Sequence, residues 1–246
     1  MSHPHARPRV TSAWLRRGSA GSTTVVRAIG VLGEVVLTVG LLMVLFVIWQ
    51  VWWTDIGADR DQRQAVAEVQ GHWASTRAPA AGPAPTLTVR AGAVFATVRI
   101  PRFGADYVRP IIEGTDRESL MRGVGHVRGS AWPGQLGNFA TAGHRVTYGK
   151  PYERLDELQP GDEVIVEVAQ GQYIYRVTQA VVVRPEQREV LSPNPSRPGR
   201  PADRAIMTLI ACHPKFTARE RYVTFAELDR FVSRPTLAAT SPARAA

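Results

Sequence analysis

The sequence predicts a mostly β fold, an antiparallel β-barrel or sandwich with a few short helices, preceded by one transmembrane helix. Two observations carry this. Short runs rich in Val, Ile and Tyr recur from residue 94 onward between clusters of Gly, Pro, Asn and Asp, which is the pattern of strands and turns. Ahead of them stands an uncharged apolar stretch, VVLTVGLLMVLFVIWQVWW at 35–53.

At 1.5 Å per residue that stretch spans roughly 28 Å, close to the thickness of a bilayer's hydrocarbon core. It ends in Trp49, Trp52 and Trp53, aromatic residues of the kind that settle at a membrane interface, with no small-residue cleavage site. It therefore reads as an uncleaved signal anchor. Arg7, Arg9, Arg16, Arg17 and Arg27 precede it, and Asp55, Asp59 and Asp61 follow. Such an asymmetry predicts a cytoplasmic N-terminal segment (1–34) and an extracytoplasmic remainder. Residues 54–92 read as a stalk, helical over 59–73 with Ala65, Val66, Val69 and Trp73 near one face, then a Pro/Ala-rich linker, RAPAAGPAP. One compact unit remains, 93–233, with a flexible tail at 234–246.

Within that unit, strands are predicted at 94–100, 138–142, 163–168, 172–183, 205–212 and 222–226. Residues 169–171, which include Gly171, suit a hairpin between the third and fourth of these. Helical pattern is confined to 116–122 and 152–158. The net charge of +9 over 246 residues invites a nucleic-acid reading. Its distribution opposes one, because part of the excess lies before the anchor and the folded region intersperses both signs. No nucleic-acid partner is expected. No phosphate-binding loop or Cys/His metal spacing is visible, so neither a metal nor an organic cofactor is expected.

The chain has a single cysteine, Cys212. No disulfide can form within it, and a lone thiol outside the cytoplasm calls for a reason. It reads equally as a small buried hydrophobe or as a nucleophile. Two neighbouring features favour the second reading: His213-Pro214 ends the strand at once, and Lys215, Arg219 and Arg221 make an electropositive surrounding that favours thiolate. Among the histidines, His144 is the best partner, since it follows the apolar run 138–143 and Gly143 permits close backbone approach at a strand end. His213 is next to the thiol but points to the opposite face of a strand. His126, in GVGHVRG, reads as a loop histidine with a structural or solvent role. His3 and His5 fall on the cytoplasmic side and His72 in the stalk. A hairpin from Cys212 to Arg221 would return a guanidinium beside the thiol, where it could hold an oxyanion; an exposed surface arginine is the alternative.

TLIACHPKFTARERYVTFAEL at 208–228, NFATAGHRVTYGKPYERLDELQPGDEV at 138–164, and RIPRFG with EGTD within 99–116 together resemble a class E sortase over about residues 94–231. Ala211 departs from the Thr that sortases commonly place before the cysteine. The resemblance implies an eight-stranded sortase β-barrel with catalytic His144, Cys212 and Arg221. It also implies a membrane-anchored cysteine transpeptidase that cleaves a sorting signal of secreted proteins, LAxTG- or LPxTG-like, between Thr and Gly. The acyl group would pass through a Cys212 thioester to an amine of a cell-wall precursor. The connection 184–204 corresponds to the family's substrate-groove region. The competing readings are a membrane-tethered scaffold domain with a buried Cys212, and another peptidoglycan-directed cysteine enzyme.

Overall fold

The computed structural model describes residues 20–75 and 89–234, with side chains at 20–24 and 50–56 left aside. The arginines before residue 20, the Pro-rich segment at 77–85, the tail beyond Arg234 and the side chains of Trp52 and Trp53 lie outside the described residues. The chain divides into two units, residues 1–50 and 51–246.

The first unit holds the apolar part of helix α1 (Ala20–Ser75). Its segment Val25–Trp49, of mean hydropathy 2.7, is long and apolar enough to cross a membrane, and none of it is buried within the protein. The apolar surface begins earlier than the expected 35–53, because Val25, Val26, Ile29 and Leu32 extend it toward the N-terminus.

In the second unit, eight strands close into a barrel: β1 (Val94–Arg99), β2 (Val108–Glu113), β3 (Val124–His126), β4 (Gly137–Ala142), β5 (Glu163–Val168), β6 (Gly171–Val183), β7 (Ala205–His213) and β8 (Glu220–Ser233). Their order around the barrel is β1-β2-β3-β4-β7-β8-β6-β5, with β5 returning to β1. Closure leaves no strand edge exposed to other chains. The expectation of a wholly antiparallel sheet needs correction, since β2–β3 and β4–β7 pair in parallel. Each parallel pair needs a crossover connection, and α2 (Arg117–Arg122), capped by Asp116 Oδ1 accepting from Ser119 N at 3.0 Å, supplies the first.

The interior follows from alternation. In β5 every second residue is buried, and Val164 and Val166 join Val98, Ile111, Phe139, Met207 and Leu209 in one core. Each such side chain, taken out of water, contributes roughly 1.5–3 kcal/mol. A smaller cluster of Ile206, Val223 and Phe225, with Val181, Val190 and Ile210 packed on it, covers the outer face of β6, β7 and β8. The segment expected to be helical at 152–158 forms a 3₁₀ turn, Leu155–Glu157. Helix α1 keeps its regular form to Ser75, and Val66 and Trp73 on its predicted face are buried, together with Gln62. Asp59 pairs with Arg109 at 2.9 Å and Arg234 lies over the Trp73 ring, so this part of α1 packs on the barrel.

His126 is a second correction. It closes strand β3 rather than sitting in a loop, and is 1% exposed. Its Nδ1 meets Glu113 Oε2 at 2.5 Å, its Nε2 meets Ser130 Oγ at 2.9 Å, and its ring packs against Phe95, Trp132 and Phe139. Burying a polar ring is tolerable because both nitrogens are partnered. The strand signal is missing because β3 is short and flanked by glycine: a Cβ on Gly125 would stand 2.4 Å from the Gly114 carbonyl, so only glycine lets the two backbones approach.

Candidate active site

Strand β7 sorts its side chains by parity. Met207, Leu209 and Ala211 point into the barrel, each at most 2% exposed, while Ile206 and Ile210 pack in the outer cluster. Cys212 shares the parity of Ile206 and Ile210 and is partly exposed as a free thiol. The departure at Ala211 falls on the inward face, where a small side chain fills the core. Thr208, on the outer face, is fully buried because its hydroxyl donates to Asn138 Oδ1 at 2.6 Å. Asn138 Nδ2 in turn donates to the carbonyls of Val190 at 2.9 Å and Ser192 at 3.1 Å. This fastens the β6–β7 connection over the outer face that leads to Cys212.

Strand β4 lies beside β7 in parallel, with Ala142 opposite Ile210 and Gly143 N donating to Ile210 O at 3.0 Å. Two residues past this last pair come His144, just beyond the end of β4, and Cys212, still on β7. The close approach expected at Gly143 is present: a Cβ there would lie 2.8 Å from the Tyr152 ring. Tyr152 N donates to His144 O at 3.0 Å and its hydroxyl shares a 2.8 Å hydrogen bond with Thr141 Oγ1, which fixes the turn beneath the histidine. The Tyr148 ring lies 5.1 Å from that of His144, and Gln62 of α1 donates to the Tyr148 carbonyl at 2.8 Å.

His144 and Cys212 line one open cavity of about 440 Å³, together with Val146, Thr147, Lys215, Phe216 and Thr217. Among the described residues, three non-glycine ones have left-handed backbones, all in the segments that follow His144 and Cys212: Tyr148 (φ 55°), Lys150 (φ 47°) and, on the cavity itself, Phe216 (φ 69°). Each such residue costs roughly 1–2 kcal/mol, a cost that structures tend to tolerate at functional sites. Phe216 is also 85% exposed, a large apolar ring held at the cavity rim.

Arg221 stands directly opposite Cys212 on the antiparallel β7–β8 ladder, and directly opposed residues project to the same face. Its Nη1 donates to the carbonyls of Ala218 at 3.0 Å and Glu220 at 2.9 Å, leaving the remaining N–H donors of the fork uncommitted to these two bonds. It is not among the residues lining the 440 Å³ cavity. His213 lies opposite Glu220, with its Nδ1 accepting from Arg145 Nη1 at 2.9 Å, as strand alternation predicts. Arg145 carries no sequence signal for this role. It is 3% exposed, and no local pattern distinguishes a buried arginine from the many exposed ones.

Partial burial holds the His144 pKa below its ordinary value, favouring the neutral imidazole. The sign follows from linkage: the unfolded chain binds this proton more tightly, so the associated stability is present above the ordinary value of about 6.5 and is lost as the pH falls through the depressed one. An NMR titration of the His144 ring is expected to give a midpoint below about 6.5. A midpoint above it would contradict the burial argument.

The sortase domain model matches residues 98–229. The chain belongs to the sortase family. It is similar to sortase SrtE1 of Streptomyces coelicolor, 34% identical over 206 residues that cover 80% of this chain and 56% of that one. Sortase SrtE2 of the same organism is 32% identical over 214 residues, 83% of each chain. The present chain thus spans little more than half the length of the first relative. The solved structure of sortase E from Streptomyces avermitilis superimposes with a TM-score of 0.55 at 35% identity, over 63% of this chain and 98% of that one. The closed eight-stranded barrel is therefore a sortase barrel, similar to that of class E sortases.

Proposed function

We propose that this sortase is a membrane-anchored transpeptidase that cleaves a C-terminal sorting signal, LAxTG- or LPxTG-like, between Thr and Gly. It transfers the acyl group to an amine of a cell-wall precursor. One observation carries the reading: a partly exposed thiol and an imidazole share the wall of an open cavity, with a guanidinium opposite the thiol on the ladder.

Each group has one task. His144, held neutral by burial, takes the proton of Cys212 as Sγ attacks the Thr carbonyl carbon. Arg221 donates to the resulting oxyanion. As the tetrahedral species collapses, the C–N bond breaks, His144 passes its proton to the leaving Gly nitrogen, and a thioester remains on Cys212. The acceptor amine then attacks the thioester, its proton goes to His144, and the thiol is regenerated as that proton returns to sulfur. The signal enters the open cavity that His144 and Cys212 line at the end of β7, bordered by Lys215, Phe216 and Thr217. Helix α1 crosses the membrane with its N-terminus in the cytoplasm. The domains run as a cytoplasmic segment (1–34), an anchor (35–53), a stalk (54–92), a catalytic domain (93–233) and a tail (234–246).

The reading is tested by incubating the protein with LAxTG and LPxTG peptides and an amine acceptor, and following the cleaved and ligated products by chromatography. Arg221→Ala is expected to lower kcat/KM by ~10²–10³, the scale of losing one oxyanion donor. An unchanged rate in that variant removes Arg221 from the mechanism.

A further inference from the structure

The residues that follow His144, Cys212 and Arg221 in the chain are Arg145, His213 and Tyr222. They meet in one cluster. The Arg145 guanidinium donates to His213 Nδ1 at 2.9 Å, and it lies 5.5 Å from the centre of the Tyr222 ring. The His213 and Tyr222 rings are themselves 5.7 Å apart. The opposite edge of the same guanidinium binds Asp156 Oδ2 at 2.6 Å, and its Nε donates to the Glu153 carbonyl at 3.4 Å. A guanidinium that is 3% exposed and shared among a carboxylate, an imidazole and a carbonyl has its fork fixed in one plane.

This geometry goes beyond holding the fold together. Arg145 leaves the end of β4, whereas His213 and Tyr222 belong to β7 and β8. The β7–β8 ladder already fixes Cys212 against Arg221, but the β4–β7 ladder stops at Ala142 and Ile210, before His144 is reached. Beyond that point the chain carrying the imidazole is tied to the strand carrying the thiol by Gly143 N donating to Ile210 O on one side of His144 and by the hydrogen bond from Arg145 to His213 on the other. Its tautomer is also defined, because Nδ1 must offer a lone pair to an arginine that can only donate.

We infer that Arg145 and His213 are positioning residues: a clamp one residue beyond His144 and Cys212 that sets the distance between imidazole and thiol. The inference rests on the proposed reading of those two residues. A misplacement of about 1 Å can reduce a rate by ~10²-fold. Arg145→Lys keeps the charge but cannot bridge Asp156 and His213 together, and His213→Leu removes the acceptor. In full-length protein below every variant's unfolding temperature, each is expected to lower kcat on a sorting-signal peptide by ~10–100-fold with KM within about three-fold of wild type. The double variant should be no slower than the slower single one, because both break the same bond. His213→Asn, whose side-chain oxygen takes the place of Nδ1, should restore most of the loss. Unchanged kcat in both single variants, or losses that multiply in the double, would overturn the clamp.

A second readout separates this from failure of the proposed function. The pH profile of Cys212 alkylation by iodoacetamide needs no sorting signal. In Arg145→Lys and His213→Leu that profile is expected to move toward the profile of His144→Ala. Profiles that superimpose on wild type would overturn the clamp even if no peptide is ever turned over. Shifted profiles without peptide turnover would uphold it and count against the sorting reaction alone.

Discussion

Cys212→Ala is expected to remove transpeptidation of a sorting-signal peptide, lowering kcat by ~10⁴–10⁶, as loss of a nucleophile does elsewhere. The sulfur has no substitute, since the chain contains one cysteine. The fold should survive, because the thiol is partly exposed on the cavity wall rather than packed in the core formed by Met207, Leu209 and Ala211 on the other face of β7. A thermal unfolding midpoint within a few degrees of wild type, alongside the lost rate, is the expected pair of results. Retained turnover would mean that Cys212 is not the nucleophile.

The second large effect concerns the histidines. His144→Ala is expected to lower kcat by ~10²–10⁴ with little change in stability, the scale of losing a general acid–base group. His126→Ala should do the reverse. It opens a cavity among Phe95, Trp132 and Phe139 and leaves Glu113 Oε2 without its partner, so a loss of about 3 kcal/mol or more in unfolding free energy is expected. Its kcat, measured well below the unfolding temperature, should remain near wild type. Chemical denaturation and steady-state kinetics on the two variants check both halves. The opposite pattern, rate lost through His126 and stability lost through His144, would exchange their roles.

How far the sequence reveals this arrangement depends on the range of the interaction concerned. Strand β5 is legible because its alternating burial is carried within the strand itself, and β7 because its nearly continuous apolar run reports burial on both faces. Strand β2 is not, because Pro110 and the charged Arg109 and Glu113 interrupt the apolar run; its place is fixed by β1, with Thr97 facing Pro110. The second half of β8 reads as polar, yet it pairs with β6 as far as Ser233, helped by Arg176 bridging Glu163 and Asp229 at 3.0 Å each. These are long-range partners that no local window contains. The same holds at the site. Cys212 and His144 are singled out by local context, a strand end and a preceding glycine. The bond of Arg145 to His213 joins residues 68 apart in the chain. The partnership of His126 with Glu113 likewise depends on a strand too short and too glycine-rich to announce itself.

The most direct test of the proposed joint action of Cys212, His144 and Arg221 is intact-protein mass spectrometry of the protein mixed with a set of sorting-signal peptides and no acceptor amine. The expected spectrum shows a single added acyl group ending in the signal's Thr, located on Cys212 by peptide mapping and released by hydroxylamine. It should be absent in Cys212→Ala and much diminished in His144→Ala and Arg221→Ala. A wild-type protein that cleaves the peptides while carrying no acyl group on Cys212, or carries one unaffected by loss of His144 and Arg221, would contradict the account.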